Sequence, residues 1–220
     1  MKLEHFKDWH RPDDCIVVAP GPSLMASRVI ASAGRQLLAG FWTIAANRAA
    51  TMIDADYVVC FEPAADPIWS ELDLRGVSAC FTHRPTGSMR GARKRPPPQR
   101  SVNVDSKDVR SFLDPGARSA APADVLKLAQ STFYALAVAA HLGFRNIGLM
   151  GADMSPDRFG PRMDDIEHAY TRLRGIIERR GQRVWNLSEA SHLESFQRAR
   201  LSQIRVRDGK AWHPDAMVTA

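Results

Sequence analysis

Residues 15–23 read CIVVAPGPS, a short apolar run that ends in a Pro-Gly-Pro-Ser turn. A continuous apolar run of this length is typical of a strand buried on both faces, as in a parallel sheet. Residues 24–40 follow with apolar side chains at helical spacing and end in a glycine. This order of strand, turn and helix predicts the first unit of a parallel α/β fold.

Strand and helix patterns alternate along the rest of the chain. Further strands are predicted at 42–47, 54–63, 77–83, 101–105, 146–153 and 182–188. Helices are predicted at 123–144, 164–181 and 191–200, and loops at 84–100 and 155–163. The alternation predicts an α/β fold with a doubly wound, mostly parallel sheet flanked by helices.

Length and composition indicate a globular protein. The 220 residues, 45% of them hydrophobic, suit one domain over 1–205 with a C-terminal tail at 206–220. No apolar run reaches the roughly 18 residues of a membrane span, and the first residues lack the apolar core of a signal peptide. We therefore expect a soluble cytoplasmic protein. Its three cysteines lie in strand-like stretches, which predicts buried, reduced thiols.

The net charge of +6 comes from one segment, residues 84–100, which holds six Arg or Lys and no acid. Three interpretations stay open for this basic loop: a lid that attracts anions, a contact for nucleic acid, or a solvated loop. It contains no interleaved aromatic residues, so stacking on bases is not indicated.

Ligands of open α/β sheets bind beyond the carboxyl ends of the strands, so the residues that follow each strand are the candidates for a site. The loop Gly21-Pro22-Ser23 lets a ligand approach the backbone, and its amides can hold a phosphate. A plain strand-to-helix turn explains the same residues, and neither a dinucleotide fingerprint nor a P-loop is present. Asn47 and Glu62 end the next two strands; turn formation explains Asn47 nearly as well as ligand contact.

The second half of the chain supplies the other candidates. Ser131 and Thr132 interrupt an apolar helix and are compatible with a helix start there. Asp153 ends a strand and can bind a metal, a ribose hydroxyl or a helix terminus.

Basic groups in and after the loop 155–163 can serve a transfer reaction. His168, on the helix 164–181, can take a proton from an acceptor hydroxyl, although a lone helical histidine is commonly a surface or core residue. Arg158 and Arg162 can clamp phosphate oxygens or be solvated loop charges.

Two stretches resemble known enzymes. They are IVVAPGPSL (16–24) with the strand ending at Asn47, and STFYALAVAAHLGFRNIGLMGADMS (131–155). Both are similar to the bacterial sialyltransferases of glycosyltransferase family 42. They also resemble a related family that includes motility-accessory flagellin glycosyltransferases and archaeal proteins similar to hydroxymethylpterin pyrophosphokinase. The likeness covers roughly 15–50 and 130–190 and not the middle of the chain.

The resemblance implies a Rossmann-like fold that binds a nucleotide-activated donor, which is a CMP-sugar in the sialyltransferases. The donor-binding positions it implies are Gly21, Pro22, Ser23, Asn47, Ser131, Thr132 and Asp153. Of these, the Gly-Pro-Ser loop lines the phosphate, the asparagine contacts the nucleotide or its phosphate, and the two hydroxyls hold the cytidine or the sugar. The aspartate touches the ribose. His168 lies about where the sialyltransferases place their catalytic base.

The chain also departs from that family. The sialyltransferases hold the leaving phosphate with lid tyrosines, whereas the loop 154–167 has none here, and Tyr170 comes only after His168. Arg158 or Arg162 is the candidate replacement. This puts sialic acid specificity in doubt, while nucleotide-dependent transfer stands.

The predicted function is transfer from a nucleotide-activated donor to an unidentified acceptor, with His168 as general base and no cofactor required. The first alternative is a pyrophosphokinase-like enzyme that needs Mg²⁺, held by Asp153 or Glu62. The second is a non-catalytic binder of nucleotides or nucleic acid that uses the basic loop for an anionic partner. The related sialyltransferases often form homo-oligomers, so a homo-oligomer is a further expectation.

Overall fold

The computed structural model describes residues 3–11, 13–26, 38, 41–61, 67–74, 76–82, 101–103 and 131–199. The basic loop 84–100, the tail 206–220 and Glu62 lie outside these residues.

The described residues form eight strands in one sheet. The strands are β1 Asp14–Val18, β2 Trp42–Ala46, β3 Tyr57–Val59, β4 Ala79–Thr82, β5 Ser101–Asn103, β6 Asn146–Met150, β7 Arg183–Asn186 and β8 Gln197–Arg198. Their spatial order is β5-β4-β3-β2-β1-β6-β7-β8, and every neighbouring pair is parallel. The order runs outward in one direction from β1 to β5 and in the other from β6 to β8. The predicted α/β, Rossmann-like, doubly wound sheet is therefore confirmed, and its topological switch point lies between β1 and β6.

Helices connect and cover the strands. They are α1 Pro22–Ala26, α2 Ile68–Glu71, α3 Ser131–Leu142, α4 Pro156–Phe159 and α5 Met163–Arg179. Short 3-10 segments lie at Leu3–Phe6, Asn47–Thr51 and Gly160–Arg162.

Alternate residues of each strand pack into two separate hydrophobic cores, one on each face of the sheet. In β1, Val17 packs in a cluster with residues of α3 and α5, while Val18 points to the opposite face and packs with Leu24 and Ile68. Because both faces are covered, the strands read as continuous apolar runs. All residues of α3 after Ser131 are buried, which explains why that helix is apolar on most faces. The sequence pattern was therefore a good predictor of the strands and of α3.

Two predicted elements are wrong. Residues 155–163, predicted as a loop, contain α4, which Ser155 caps by accepting a hydrogen bond from the Asp157 amide at 3.2 Å. Residues 191–200 were predicted as a helix, but their described part, 191–199, forms irregular structure with a bend and the short strand β8. Here serine hydroxyls bond to the backbone instead: Ser191 Oγ donates to Ala152 O and accepts from the Leu193 amide. Such side-chain bonds compete with helix formation.

The cysteines behave as predicted. Cys15, Cys60 and Cys80 are buried thiols, and none forms a disulfide. Burial raises the pKa of the Cys15 thiol and raises that of Cys80 to about 12, so both stay protonated at neutral pH.

No helix in the described part of the chain combines the length and the apolar character needed to cross a membrane.

Two buried histidines make the stability depend on pH. His10 Nε2 lies 2.6 Å from the Tyr57 hydroxyl, and His141 Nε2 lies 2.9 Å from Leu3 O. Burial lowers the pKa of both imidazoles below the ordinary value of 6.5, and for His10 the nearby Asp13 partly opposes this. The unfolded chain therefore binds more protons than the folded chain between the folded pKa and about 6.5.

We expect the free energy of unfolding, measured by urea denaturation, to be full above about pH 6.5 and to fall as the pH drops below it. His141→Gln keeps a donor for Leu3 O and should flatten this slope. Stability that is constant from pH 7 to pH 5 contradicts the prediction.

Candidate functional site

A cavity of about 650 Å³ opens at the carboxyl ends of the strands, at the switch point between β1 and β6. Its walls come from the segments after β1, β2, β3 and β6, from the start of α3 and from α4. The sequence-predicted residues that line it are Gly21, Pro22, Asn47, Ser131, Thr132, Asp153 and Arg158. The fold thus brings together residues that lie more than 130 positions apart in the chain, where α/β proteins bind ligands.

The wall at the switch point is held by Asp153. This residue is 6% exposed, and its Oδ2 accepts a hydrogen bond from the Ser23 amide at 2.6 Å. Its Oδ1 accepts from the Ser23 hydroxyl. The Gly21 amide donates to Gly151 O at 2.8 Å, which joins the two loops a second time. The loops after β1 and β6 therefore form one connected unit.

Glycine is required on both sides of this junction. A Cβ on Gly21 would lie 2.1 Å from Gly151 O, and a Cβ on Gly151 would lie 2.1 Å from Ala19 O. Gly151 also has a φ of +71°. Both positions need the close approach of two backbones that only glycine permits.

Asn47 has a turn role as well as a place in the cavity wall. Its φ of +46° lies in the left-handed region, where asparagine is tolerated better than most residues. Its Oδ1 accepts a hydrogen bond from the Phe61 amide at 3.4 Å. The turn interpretation of this residue is therefore supported by the backbone geometry, and ligand contact stays a prediction.

The turn role can be measured. Glycine adopts a φ of +46° without strain, whereas alanine does so at a cost of about 1 kcal/mol. We expect Asn47→Ala to unfold at a lower urea concentration than Asn47→Gly, because both lose the amide and only alanine adds backbone strain. Equal stability of the two variants contradicts the turn role.

Another part of the cavity wall is formed by hydroxyl and aromatic groups. Ser131 and Thr132 line it from the start of α3, beside Tyr134 and Phe61. The two rings pack edge to face, with centroids 4.4 Å apart. Neither aromatic residue could be predicted as part of the site, since an apolar residue in a strand or a helix is typical of the core. The one signal in the sequence is that Phe61 lies near the end of a predicted strand.

Arg158 is the one cation that lines the cavity, within the described residues. It is exposed on α4, and its guanidinium carbon lies 5.3 Å from the centroid of the Phe159 ring. Arg162 and His168 are also exposed, but neither contributes to the cavity wall. The structure thus separates Arg158 from the other two sequence-predicted basic residues. Their predicted roles are not tested by this placement.

Tyr170 cannot replace the lid tyrosines of the sialyltransferases. Its side chain is 2% exposed and packs edge to face against Phe133 and Phe196. Burial raises the pKa of the phenol, and the hydroxyl has no hydrogen-bond partner within the described residues.

Because this hydroxyl is desolvated without a partner, Tyr170→Phe should raise the free energy of unfolding by about 1 kcal/mol. Thermal and urea denaturation of the two proteins check this. A loss of stability would show that the hydroxyl makes a favourable contact.

The described residues contain no cluster of three or more His, Cys, Asp or Glu that could hold a metal ion. Two carboxylates line the cavity, those of Asp153 and Asp157.

A comparison with solved structures finds a protein of similar fold. The structure is similar to the MAf glycosyltransferase from Magnetospirillum magneticum AMB-1, with a TM-score of 0.59 and 16% sequence identity. The similarity covers 99% of this chain and 40% of that protein, so this chain spans less than half of its length. No model of a known protein family matches the sequence, and no curated protein matches it. The likeness shows that the chain shares its fold with part of that protein.

Proposed function

We propose that the protein transfers a glycosyl group from a nucleotide-activated donor, most simply a CMP-sugar, to an acceptor hydroxyl. The observation that carries the proposal is the cavity at the switch point, which is lined by the polar side chains of Asn47, Ser131 and Thr132 and by the guanidinium of Arg158. The similarity to a solved glycosyltransferase supports the same class of reaction. The sequence likeness to the sialyltransferases supports the choice of donor.

In this proposal Arg158 carries the electrostatic part of catalysis. When the bond from the sugar to the phosphate breaks, negative charge develops on the leaving phosphate. A guanidinium stabilises that charge with two parallel hydrogen bonds. The hydroxyls of Ser131 and Thr132 bind the cytidine or the sugar, and Asn47 contacts the nucleotide. No metal is required, because the arginine supplies the positive charge.

His168 completes the proposal as the general base. It lies exposed on α5, outside the cavity wall, where an acceptor can reach it from solvent. A neutral imidazole takes the proton of the attacking hydroxyl. The test is His168→Gln: loss of transfer with unchanged CMP affinity supports this role, and unchanged transfer overturns it.

A thermal-shift screen tests the proposed donor class. The ligands are CMP, CDP, UDP, GDP, ADP, ATP and CMP-sialic acid, each with and without Mg²⁺. A ligand present at about 100 times its Kd adds about 2.7 kcal/mol to the stability of the folded state, which raises the Tm by several degrees. We expect CMP and CMP-sialic acid to stabilise without metal.

Other outcomes of the screen have distinct meanings. Stabilisation by ATP only with Mg²⁺ would contradict glycosyl transfer and support a pyrophosphokinase-like reaction. If no ligand shifts the Tm, the proposal of a nucleotide donor is wrong, and binding of nucleic acid through the basic loop 84–100 is then the function to test.

A further inference from the structure

At the switch point, the loop after β1 already binds a carboxylate of the protein itself. Asp153 accepts hydrogen bonds from both the amide and the hydroxyl of Ser23. These are donors that a phosphate at this loop would use. The sequence predicted a phosphate at Gly21, Pro22 and Ser23, but a carboxylate occupies the Ser23 donors instead.

The carboxylate is fixed in this place from several sides. The Asp153 side chain is buried, and its backbone oxygen accepts from the His192 amide at 2.7 Å. Both backbone polar groups of the preceding residue, Ala152, form hydrogen bonds. Its amide donates to Ser188 Oγ at 2.9 Å, and its carbonyl oxygen accepts from Ser191 Oγ at 2.6 Å. These hydrogen bonds fix the position of Asp153, so a bound ligand contacts it as a rigid part of the cavity wall.

A rigid carboxylate changes where a phosphate can bind. Two negative charges within a few ångströms repel each other, and the repulsion is stronger in a partly desolvated cavity than in water. A phosphate beside Ser23 would in addition find the donors taken. Both effects disfavour the phosphate at this wall.

The rest of the cavity wall supplies hydrogen-bond donors and a positive charge. Arg158, Ser131, Thr132 and Ser155 line it, as does the exposed carboxylate of Asp157. Within the described part of the chain, no carboxylate forms an ion pair with this arginine. A guanidinium that forms no ion pair with a described carboxylate, together with several hydroxyl groups, suits a phosphate.

We propose that Asp153 is a positioning residue that closes the Gly21-Pro22-Ser23 loop to phosphate and directs the phosphate of a bound nucleotide to Arg158. The inference rests on the proposed function, since it concerns how the same cavity orients a nucleotide. It replaces the sequence-based expectation that this loop holds the donor phosphate.

The test measures the contribution of the phosphate to binding. Calorimetry gives the Kd of each nucleoside monophosphate and of its nucleoside, for the pairs CMP and cytidine, UMP and uridine, GMP and guanosine, and AMP and adenosine. The Kd of the nucleoside divided by the Kd of its monophosphate measures how much the phosphate contributes to binding. The variants are Ser23→Ala, Asp153→Asn and Arg158→Ala, with Arg162→Ala as the matched control outside the cavity.

We expect Arg158→Ala to reduce this ratio by about tenfold or more. Ser23→Ala and Arg162→Ala should leave it unchanged. Asp153→Asn should raise it, because the repulsion between the carboxylate and the phosphate is lost. An asparagine can still accept from the Ser23 amide and donate to its hydroxyl, so the loop geometry is kept while the negative charge is lost. A purely structural aspartate would change the Tm and not the ratio in this direction.

The outcomes separate the inference from the proposed function. A ratio that falls in Ser23→Ala as much as in Arg158→Ala overturns the inference, because the loop then holds the phosphate. A loss of nucleoside affinity in Asp153→Asn also overturns it, since the aspartate then contacts the ribose. If Asp153→Asn does not fold, Ser23→Ala alone decides. Failure of the wild-type protein to bind any of the eight ligands overturns the proposed function and the inference with it.

Discussion

Gly151→Ala should lower the free energy of unfolding by about 3–5 kcal/mol and the Tm by about 10 °C. Two costs combine at this position. Alanine at a φ of +71° costs about 1–2 kcal/mol. Its Cβ would also lie 2.1 Å from Ala19 O, so the loops after β1 and β6 must separate. That separation breaks the junction on which the cavity depends.

Two glycines outside the junction provide matched controls for this prediction. Gly160 has a φ of +52°, and no atom of the described residues lies within 4 Å of the position that a Cβ would take there, so Gly160→Ala measures the backbone cost alone. Gly175 lies in α5 with only Arg179 at an ordinary contact distance of 3.6 Å. Gly175→Ala should therefore stabilise the helix by about 0.5–1 kcal/mol. If Gly151→Ala loses no more stability than Gly160→Ala, the steric part of the argument is wrong.

The sheet could be predicted from sequence because both of its faces are buried. The continuous apolar runs at β1 and β6, each followed by a turn signal, are typical of strands buried on both faces. Residues 191–200 were misassigned because apolar residues at Leu193 and Phe196 fit a helical spacing. Their place is decided by hydrogen bonds to distant residues, such as Ser195 Oγ to Glu167 O at 3.1 Å, which no local pattern encodes.

The location of the candidate site could be predicted from the sequence, but the hydrogen bonds between its residues could not. The rule that ligands bind at carboxyl ends of strands selected Gly21, Asn47 and Asp153 correctly as neighbours of one cavity. The bond between Ser23 and Asp153 joins residues 130 positions apart. Nothing in the composition of either segment indicates that they pair. The sequence therefore could not tell a loop open to phosphate from one closed by its own carboxylate.

Under the proposed function, loss of Arg158 should strongly reduce transfer. Removing a donor that stabilises developing negative charge typically lowers kcat by about 10²–10³-fold. Arg158 is the cation that lines the described cavity, so no neighbouring guanidinium or ammonium in its described wall takes over this role. Arg158→Ala should therefore lower kcat by about this factor, with a smaller change in KM, because the charge on the phosphate grows in the transition state.

The measurement does not require the acceptor to be known, because water can serve as a slow acceptor. Release of CMP from CMP-sialic acid gives kcat and KM for the wild-type protein, Arg158→Ala, Arg158→Lys and Arg162→Ala. Arg158→Lys keeps the charge and loses the paired hydrogen bonds, so its kcat should lie between the wild-type and alanine values. Arg162→Ala, exposed and outside the cavity wall, should match the wild type. If Arg162→Ala is the slower of the two alanine variants, the phosphate leaves on the far side of α4 and the cavity geometry does not orient the donor as proposed.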